Sequence, residues 1–450
     1  MSWNKVKLGE LISESRIPSL NPDADRRITV RLNVLGVEKR PLENEKAGAT
    51  KQFIRKAGQF IYGKQNFHKG AFGIIPKELD GFESSADLPS FDVREDCLSE
   101  WIFYFFKQGG FYLELAKIAR GVATQRIHPE QIYELEIPLP DLETQEKIIN
   151  SIKSIEEKGE RLNNELSHQL TLLSNLNQAI LQEAVQGKLV PQDPNDEPAS
   201  ELLKRIKAAL RQAQGSKKIK ELPPIQPEEI PFEIPENWVW CRLGEICDVL
   251  GGFAFDSTRY SKIETQNQVI RLGNVKPNQL VLETSPVFID DKYAYEVEKS
   301  ILKQDDILIT MTGTKAKRDY LFSLCLSSDD LKTKKLFLNQ RVGCFRFDDT
   351  IFPAFINYAL KDLALLTPVF DSSTGAANQA NIGMIALKGI LIPLPPLSEQ
   401  KRIVAAIEKQ FALTQQLKEK VLANQQATEQ LLKALLHQAF EVREVKEVNS

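Results

Sequence analysis

Two pairs of polar loops hold the side chains best suited to chemistry in this chain, and that chemistry is recognition. The first pair is Tyr62-Gly-Lys-Gln-Asn-Phe-His-Lys69 and Thr312-Gly-Thr-Lys-Ala-Lys-Arg318, each following an apolar run. The second is Arg120-Gly-Val-Ala-Thr-Gln-Arg126 and Ser372-Ser-Thr-Gly-Ala-Ala-Asn-Gln379. Glycine allows close approach of the backbone, Lys and Arg neutralise phosphate, and amide or hydroxyl side chains bond to base edges. The candidate contacts are Lys64, Gln65, Asn66, His68, Lys69, Arg120, Thr124, Gln125 and Arg126 in the first half of the chain. In the second half they are Lys315, Lys317, Arg318, Ser373, Asn378 and Gln379, with Asn339 and Arg341 from Asn339-Gln-Arg341. Ordinary hydrogen-bonded turns compete with this reading at each loop, and Asn339-Gln-Arg341 equally fits the start of a strand.

Signatures of bond-making chemistry are missing. Met311-Thr-Gly-Thr-Lys315 lacks the glycine spacing of a phosphate loop, and no Gly-x-Gly-x-x-Gly follows an apolar run. Asn-Pro-Pro-aromatic, which accepts the amino group of a target adenine, is absent. Pro140-Asp141 with Glu143 has no Lys two positions on, and reads as a helix N-terminus rather than a nuclease fragment. The four histidines, His68, His128, His168 and His437, have no counterparts between the halves and no ligand spacing. A His/Cys metal site and a nucleophile–histidine pair are therefore not expected.

Composition sets the class. With 450 residues, 42% hydrophobic and 26% charged, the chain predicts two to three globular domains. It has no apolar run of about 18 residues and no apolar leader, so a cytoplasmic protein outside the membrane is expected. Five scattered cysteines read as buried thiols. A net charge of −3 argues weakly against nucleic acid, yet the acidity is concentrated in residues 141–200 and the first globular region is nearly balanced.

The elements that position the loops are duplicated. Ile137-Pro-Leu-Pro-Asp-Leu-Glu-Thr-Gln145 recurs as Ile392-Pro-Leu-Pro-Pro-Leu-Ser-Glu-Gln400. Trp3-Asn-Lys-Val-Lys-Leu-Gly-Glu10 recurs as Trp238-Val-Trp-Cys-Arg-Leu-Gly-Glu245, with Trp3 and Trp238 as core anchors. Between these ends only a skeleton survives: Val30-Arg-Leu against Ile270-Arg-Leu, Phe60-Ile-Tyr62 against Ile307-Leu-Ile309, and helical stretches at 101–107 and 355–361. Short β-rich runs with a few helices predict mixed α/β (α+β) domains. Matching frames with unlike middles fit two versions of one ligand, such as the unlike halves of a DNA sequence.

Each globular region leads into a long amphipathic helix. Ile148, Ile152, Leu162 and Leu166 carry the stripe in the first, and Ile403, Ile407, Leu417 and Val421 in the second. Forty-odd residues make a rod of roughly 60 Å, and the two rods are expected to pair as an antiparallel coiled coil in a pseudo-twofold repeat. Gln145 and Gln400, at the helix starts, are expected to meet partner subunits or the other repeat. The domains fall at 1–140, 141–200 (helix), 201–235 (linker), 236–395 and 396–450 (helix). The linker, with a short helix from 201 to 210 and a Lys/Arg cluster, reads as a solvated tether more readily than as a DNA contact.

In order and duplication these motifs, with Ala184-Val-Gln-Gly-Lys-Leu-Val-Pro191, resemble the specificity subunit of type I restriction-modification systems across essentially the whole chain. The resemblance implies that each globular region reads one half of a split, asymmetric double-stranded DNA target. It also implies an antiparallel coiled coil that sets the half-site separation and docks two modification (methyltransferase) subunits. Those would bring S-adenosylmethionine for adenine-N6 methylation, and restriction subunits would add ATP- and Mg2+-dependent translocation and cleavage, with no cofactor in this chain. One departure is that Phe440-Glu-Val-Arg lacks the Gly-Lys-Leu-Val-Pro that follows the first helix. A non-catalytic coiled-coil scaffold with two protein-binding heads is the alternative.

Overall fold

The computed structural model describes residues 3–41, 50–108, 111–120, 125–214, 222–375 and 379–440. These form two compact units, Met1–Gln169 with Lys420–Ser450, and Leu170–Glu419.

Six strands frame the first unit: β1 (Asn4–Lys7), β2 (Ile12–Ser15), β3 (Phe60–Tyr62), β4 (Phe72–Ile74), β5 (Ser90–Val93) and β6 (Glu136–Leu139). β1 and β6 pair antiparallel, with Asn4 opposite Leu139. The two recurring motifs are thus the two strands of one ladder, and its two-stranded form leaves Pro138 on an edge, where a missing N–H costs nothing. β2-β5-β3-β4 make an antiparallel sheet. Helix α1 (Ser99–Lys107) buries Trp101, Ile102 and Phe106 completely, and Phe60 stacks on Phe106 with ring centroids 5.6 Å apart. The guanidinium of Arg55, 1% exposed, donates to Ser84 Oγ, Ser15 O and Ser90 Oγ at 2.7–3.0 Å, and its burial pushes the pKa down to about 10.

After helix α2 (Leu142–Val185) and helix α3 (Ala199–Gln214), the second unit repeats the plan. Its strands include β7 (Val239–Arg242), β8 (Asp248–Gly251), β9 (Asn267–Ile270), β10 (Ile307–Thr310), β11 (Thr312–Gly313), β12 (Ser323–Cys325), β13 (Lys335–Leu338), β14 (Val342–Arg346), β15 (Ala380–Asn381) and β16 (Leu391–Leu394). β7 pairs with β16, Val239 opposite Leu394, and β8-β14-β10-β12 repeats the first-fourth-second-third order of the first sheet. Its helices include α4 (Pro353–Ala359) and α5 (Leu363–Asp371), and the long helix α6 (Leu397–Phe440) starts in this unit and ends in the first. Trp238 is 5% exposed in its core, while Trp3 meets Trp101 edge-on at 5.8 Å.

Both long helices have 44 residues. In the first unit Gly159 lies beside Leu432 and Ser167 Oγ accepts from Gln425 Nε2 at 3.3 Å, so positions that rise along α2 fall along α6. That is antiparallel pairing. In the second unit Thr414 Oγ1 donates to Asn177 Oδ1 at 2.8 Å, and Ile180 and Leu181 join Ile403 and Ile407 in one apolar cluster.

The stretch read as a solvated tether is corrected in its first part. Ala199, Leu202, Leu203 and Ile206 of α3 are buried in the core of the second unit, because four apolar side chains at helical spacing gain more from burial than a tether would. Lys204, Arg205 and Lys207 are paired with Glu201, Glu197 and Glu245. The lysines at 217, 218 and 220 lie outside the described residues.

Candidate nucleic-acid interface

In each unit the two polar loops meet at the same structural position. In the first, the Lys64 carbonyl accepts from Ile127 N–H at 2.8 Å and Tyr62 Oη donates to Ile127 O at 3.1 Å. In the second, the Met311 carbonyl accepts from Ile382 N–H at 2.9 Å, and β11 pairs with β15. Ile127 and Ile382 are fully or nearly fully buried and act as the pins that hold the loops together.

Local chemistry explains the shape of the first site. Phe67 is fully buried in the aromatic core, its neighbours Lys64, Gln65 and Asn66 are half-buried and Lys69 is exposed, and Gly70 closes the turn at a φ of +80°. Arg120 and Arg126 exchange two backbone hydrogen bonds of 2.8 Å at the neck of the second loop. Arg126 lies 3.5 Å from Asp87, and Arg120 and Gln125 are exposed. His68 departs from the rest: its Nδ1 is buried without a partner, and burial and then Lys69 lower its pKa. Both effects disfavour the charged ring and so weaken it as a phosphate contact. Thr124 lies outside the described residues.

In the second site Lys315, Lys317, Arg318 and Gln379 are exposed. Lys315 Nζ donates to Ser373 O at 3.3 Å and Arg318 pairs with Asp371 at 3.1 Å, its guanidinium 5.2 Å from the centre of the Phe370 ring. Arg341 is exposed, and its carbonyl accepts from Met311 N–H at 3.2 Å, which joins it to the same cluster. Two candidates are corrected. Ser373 is 6% exposed with a buried Oγ, and Asn339 is 8% exposed, its Oδ1 accepting from Arg341 N–H; both are interior groups that shape the loops. Asn378 lies outside the described residues.

Gln145 and Gln400 are also corrected. Both are 0% exposed, so neither can meet a partner subunit. Gln145 Oε1 accepts from Leu98 N–H while Nε2 donates to Asp96 O and Pro140 O, all at 2.9 Å. Gln400 repeats this with Phe352 N–H at 2.9 Å and Pro395 O at 3.0 Å. Each glutamine ties the start of a long helix to the start of a short one, α1 or α4. Asp141 caps α2 as expected, accepting from Thr144 N–H at 2.9 Å, which holds its carboxyl below the usual range.

Of the other helix positions, Ile152, Leu166, Ile403, Ile407 and Val421 are buried and Ile148 is partly buried. Leu162 and Leu417 are 46% and 49% exposed, and Leu172, Leu176, Leu413 and Leu431 are exposed as well, leaving apolar surface on the helices. Arg271 and Gln340, which the sequence did not single out as candidates, line a cleft together with Arg341. The match of Ile270-Arg-Leu to Val30-Arg-Leu and the middle of Asn339-Gln-Arg341 carried the signal for them.

Among the described residues no cluster of His, Cys, Asp and Glu could hold a metal, and no helix is long and apolar enough to cross a membrane.

The sequence matches the family described as type I restriction modification DNA specificity domain twice, over residues 2–172 and 235–423. It is 37% identical over 248 residues to the type I restriction enzyme EcoAI specificity subunit of Escherichia coli, covering 54% of this chain and 40% of that one. It is 35% identical over 276 residues to the EcoEI specificity subunit of the same organism, covering 59% and 45%. The chain thus spans less than half the length of these relatives. The fold is similar to the HsdS subunit from Thermoanaerobacter tengcongensis, with a TM-score of 0.55 at 17% identity over 98% of this chain and 96% of that one. It is also similar to a chain from a structure of a type I R-M system, with a TM-score of 0.63 at 16% identity over 98% of both. Matched twice, over more than half its length, the chain belongs to the type I restriction modification DNA specificity family.

Proposed function

We propose that the chain reads a bipartite, asymmetric DNA target, one half with each globular domain, and positions modification and restriction subunits on it. The observation that carries this reading is the duplicated convergence of two polar loops pinned at Ile127 and Ile382, alike in frame and unlike in lining. Exposed cations in these loops suit phosphates, and Gln65, Asn66, Gln125 and Gln379 suit base edges.

The helices α2 and α6 serve as the spacer that sets the half-site separation, and their exposed leucines offer apolar surface to two methyltransferase subunits. Those subunits bring S-adenosylmethionine and methylate adenine N6. Restriction subunits bring ATP and Mg2+, and the whole works in the cytoplasm. The boundaries 1–140, 141–200, 236–395 and 396–450 delimit the reading heads and the helices, and within 201–235 helix α3 packs with the second head.

Gel retention of the chain with a methyltransferase subunit tests the reading. Retention of specific sequences over random DNA supports it; no retention at low salt favours a protein-binding scaffold.

A further inference from the structure

Arg271 follows β9 in the Ile270-Arg-Leu frame, which matches Val30-Arg-Leu in the first unit, but the two arginines differ in their surroundings. Arg31 is paired with Glu38 at 2.9 Å, on the surface. Arg271 has no carboxylate partner among the described residues; its Nη2 donates to Ser285 O at 2.6 Å and its Nε is buried without a hydrogen bond. The backbone beneath it is fixed as well. Arg271 N–H donates to Asn274 Oδ1 at 2.9 Å, and Asn274, 1% exposed, is held in turn by the carbonyls of Val281 and Thr284.

This tethered guanidinium lines a cleft of about 450 Å3 with Tyr260, Ser285, Gln340 and Arg341. The lining holds two guanidinium groups, amides and hydroxyls, and no carboxylate. Gly252 forms a close approach beside it: a Cβ there would stand 2.0 Å from the Asn339 carbonyl, so the strand end and the 339–341 turn are in contact. Arg341 connects the cleft to the loop at 312–318 through its bond from Met311 N–H.

We propose that Arg271 is a specificity-determining residue of the second domain, reading the O6 and N7 acceptors of a guanine in that domain's half-site. The proposal rests on the DNA-reading role above. A cleft rich in donors and free of carboxylates selects an edge with adjacent acceptors, and a planar fork held at one end meets two acceptors side by side with little ordering left to do. Exposed Lys315 and Lys317 remain available for phosphates.

The test uses the full chain assembled with its methyltransferase subunits, acting on a plasmid library randomised across both half-sites. The variants are Arg271→Gln and Arg271→Lys, the second keeping a donor for Ser285 while losing the fork. Both are expected to relax one guanine position in one half-site, with discrimination falling roughly ten- to a hundredfold and the other half unchanged. A uniform loss across all sequences, with the salt dependence of binding falling by about one phosphate contact, would assign Arg271 to the backbone and overturn the proposal. Unchanged specificity and affinity would also overturn it, by removing the cleft from the interface. Failure of the DNA-reading role itself is separable, because the unaltered complex would then methylate without regard to sequence.

Discussion

The side-chain oxygen of Gln400 accepts a 2.9 Å hydrogen bond from the Phe352 N–H, and Gln145 makes the same bond to Leu98 in the other repeat. Leu98 and Phe352 both stand immediately before a helix, where the backbone N–H has no partner within the helix itself. Gln145→Leu leaves that N–H and the carbonyls of Asp96 and Pro140 without their amide, and Gln400→Leu leaves that N–H and the Pro395 carbonyl without theirs. Each variant is expected to lose about 1–3 kcal/mol, read as a lower denaturant midpoint of its own unit.

Phosphate contact makes binding depend on salt. Lys69→Ala and Lys317→Ala each remove an exposed cation from a converged loop. Each is expected to reduce the slope of log affinity against log salt by about 1, with sequence preference intact. An unaltered slope for both would take these loops off the DNA.

Lengthening both long helices together tests the proposed spacer role. Four residues inserted into α2 between Gly159 and Ser167, and four into α6 between Gln425 and Leu432, lengthen both helices by about 6 Å. The methylated target should then gain about two unspecified base pairs between unchanged halves, since B-DNA rises about 3.4 Å per pair. Equal methylation of the original spacing would contradict the spacer role.

Glu399 gives a pH dependence. Its carboxyl, 0% exposed, accepts from Trp238 Nε1–H at 3.0 Å and Gln192 Nε2 at 2.6 Å, and burial raises its pKa above the ordinary 4.5. The folded chain therefore holds this proton more tightly than the unfolded chain does. Its contribution to stability is complete below about 4.5 and is lost as pH rises through the raised value. Glu399→Gln, which keeps an acceptor for Trp238, should gain in stability relative to the unaltered chain as pH rises from 4.5 to 7 in urea titrations.

Much of the frame was legible because it was written twice. Trp-x4-Leu-Gly-Glu and Ile-Pro-Leu-Pro recur since β1 with β6, and β7 with β16, close equivalent ladders. The helix stripes were legible through their period. The role of Gln145 was not: a lone polar residue at a helix start reads as surface, and its partners Asp96 and Leu98 lie far away in sequence. The α3 core face was hidden by flanking prolines and lysines that read as linker. Of the loops, composition identified the exposed cations, but Ser373 and Asn339 are polar residues whose burial depends on chain segments that local pattern does not bring together.

The proposed function requires the two domains to read two half-sites independently. Exchanging residues 13–120 for the corresponding segment of another member of the family, then mapping methylated adenines in a host carrying the complex, measures this directly. One half-site is expected to change while the other half and the spacing persist. Alteration of both halves would contradict it.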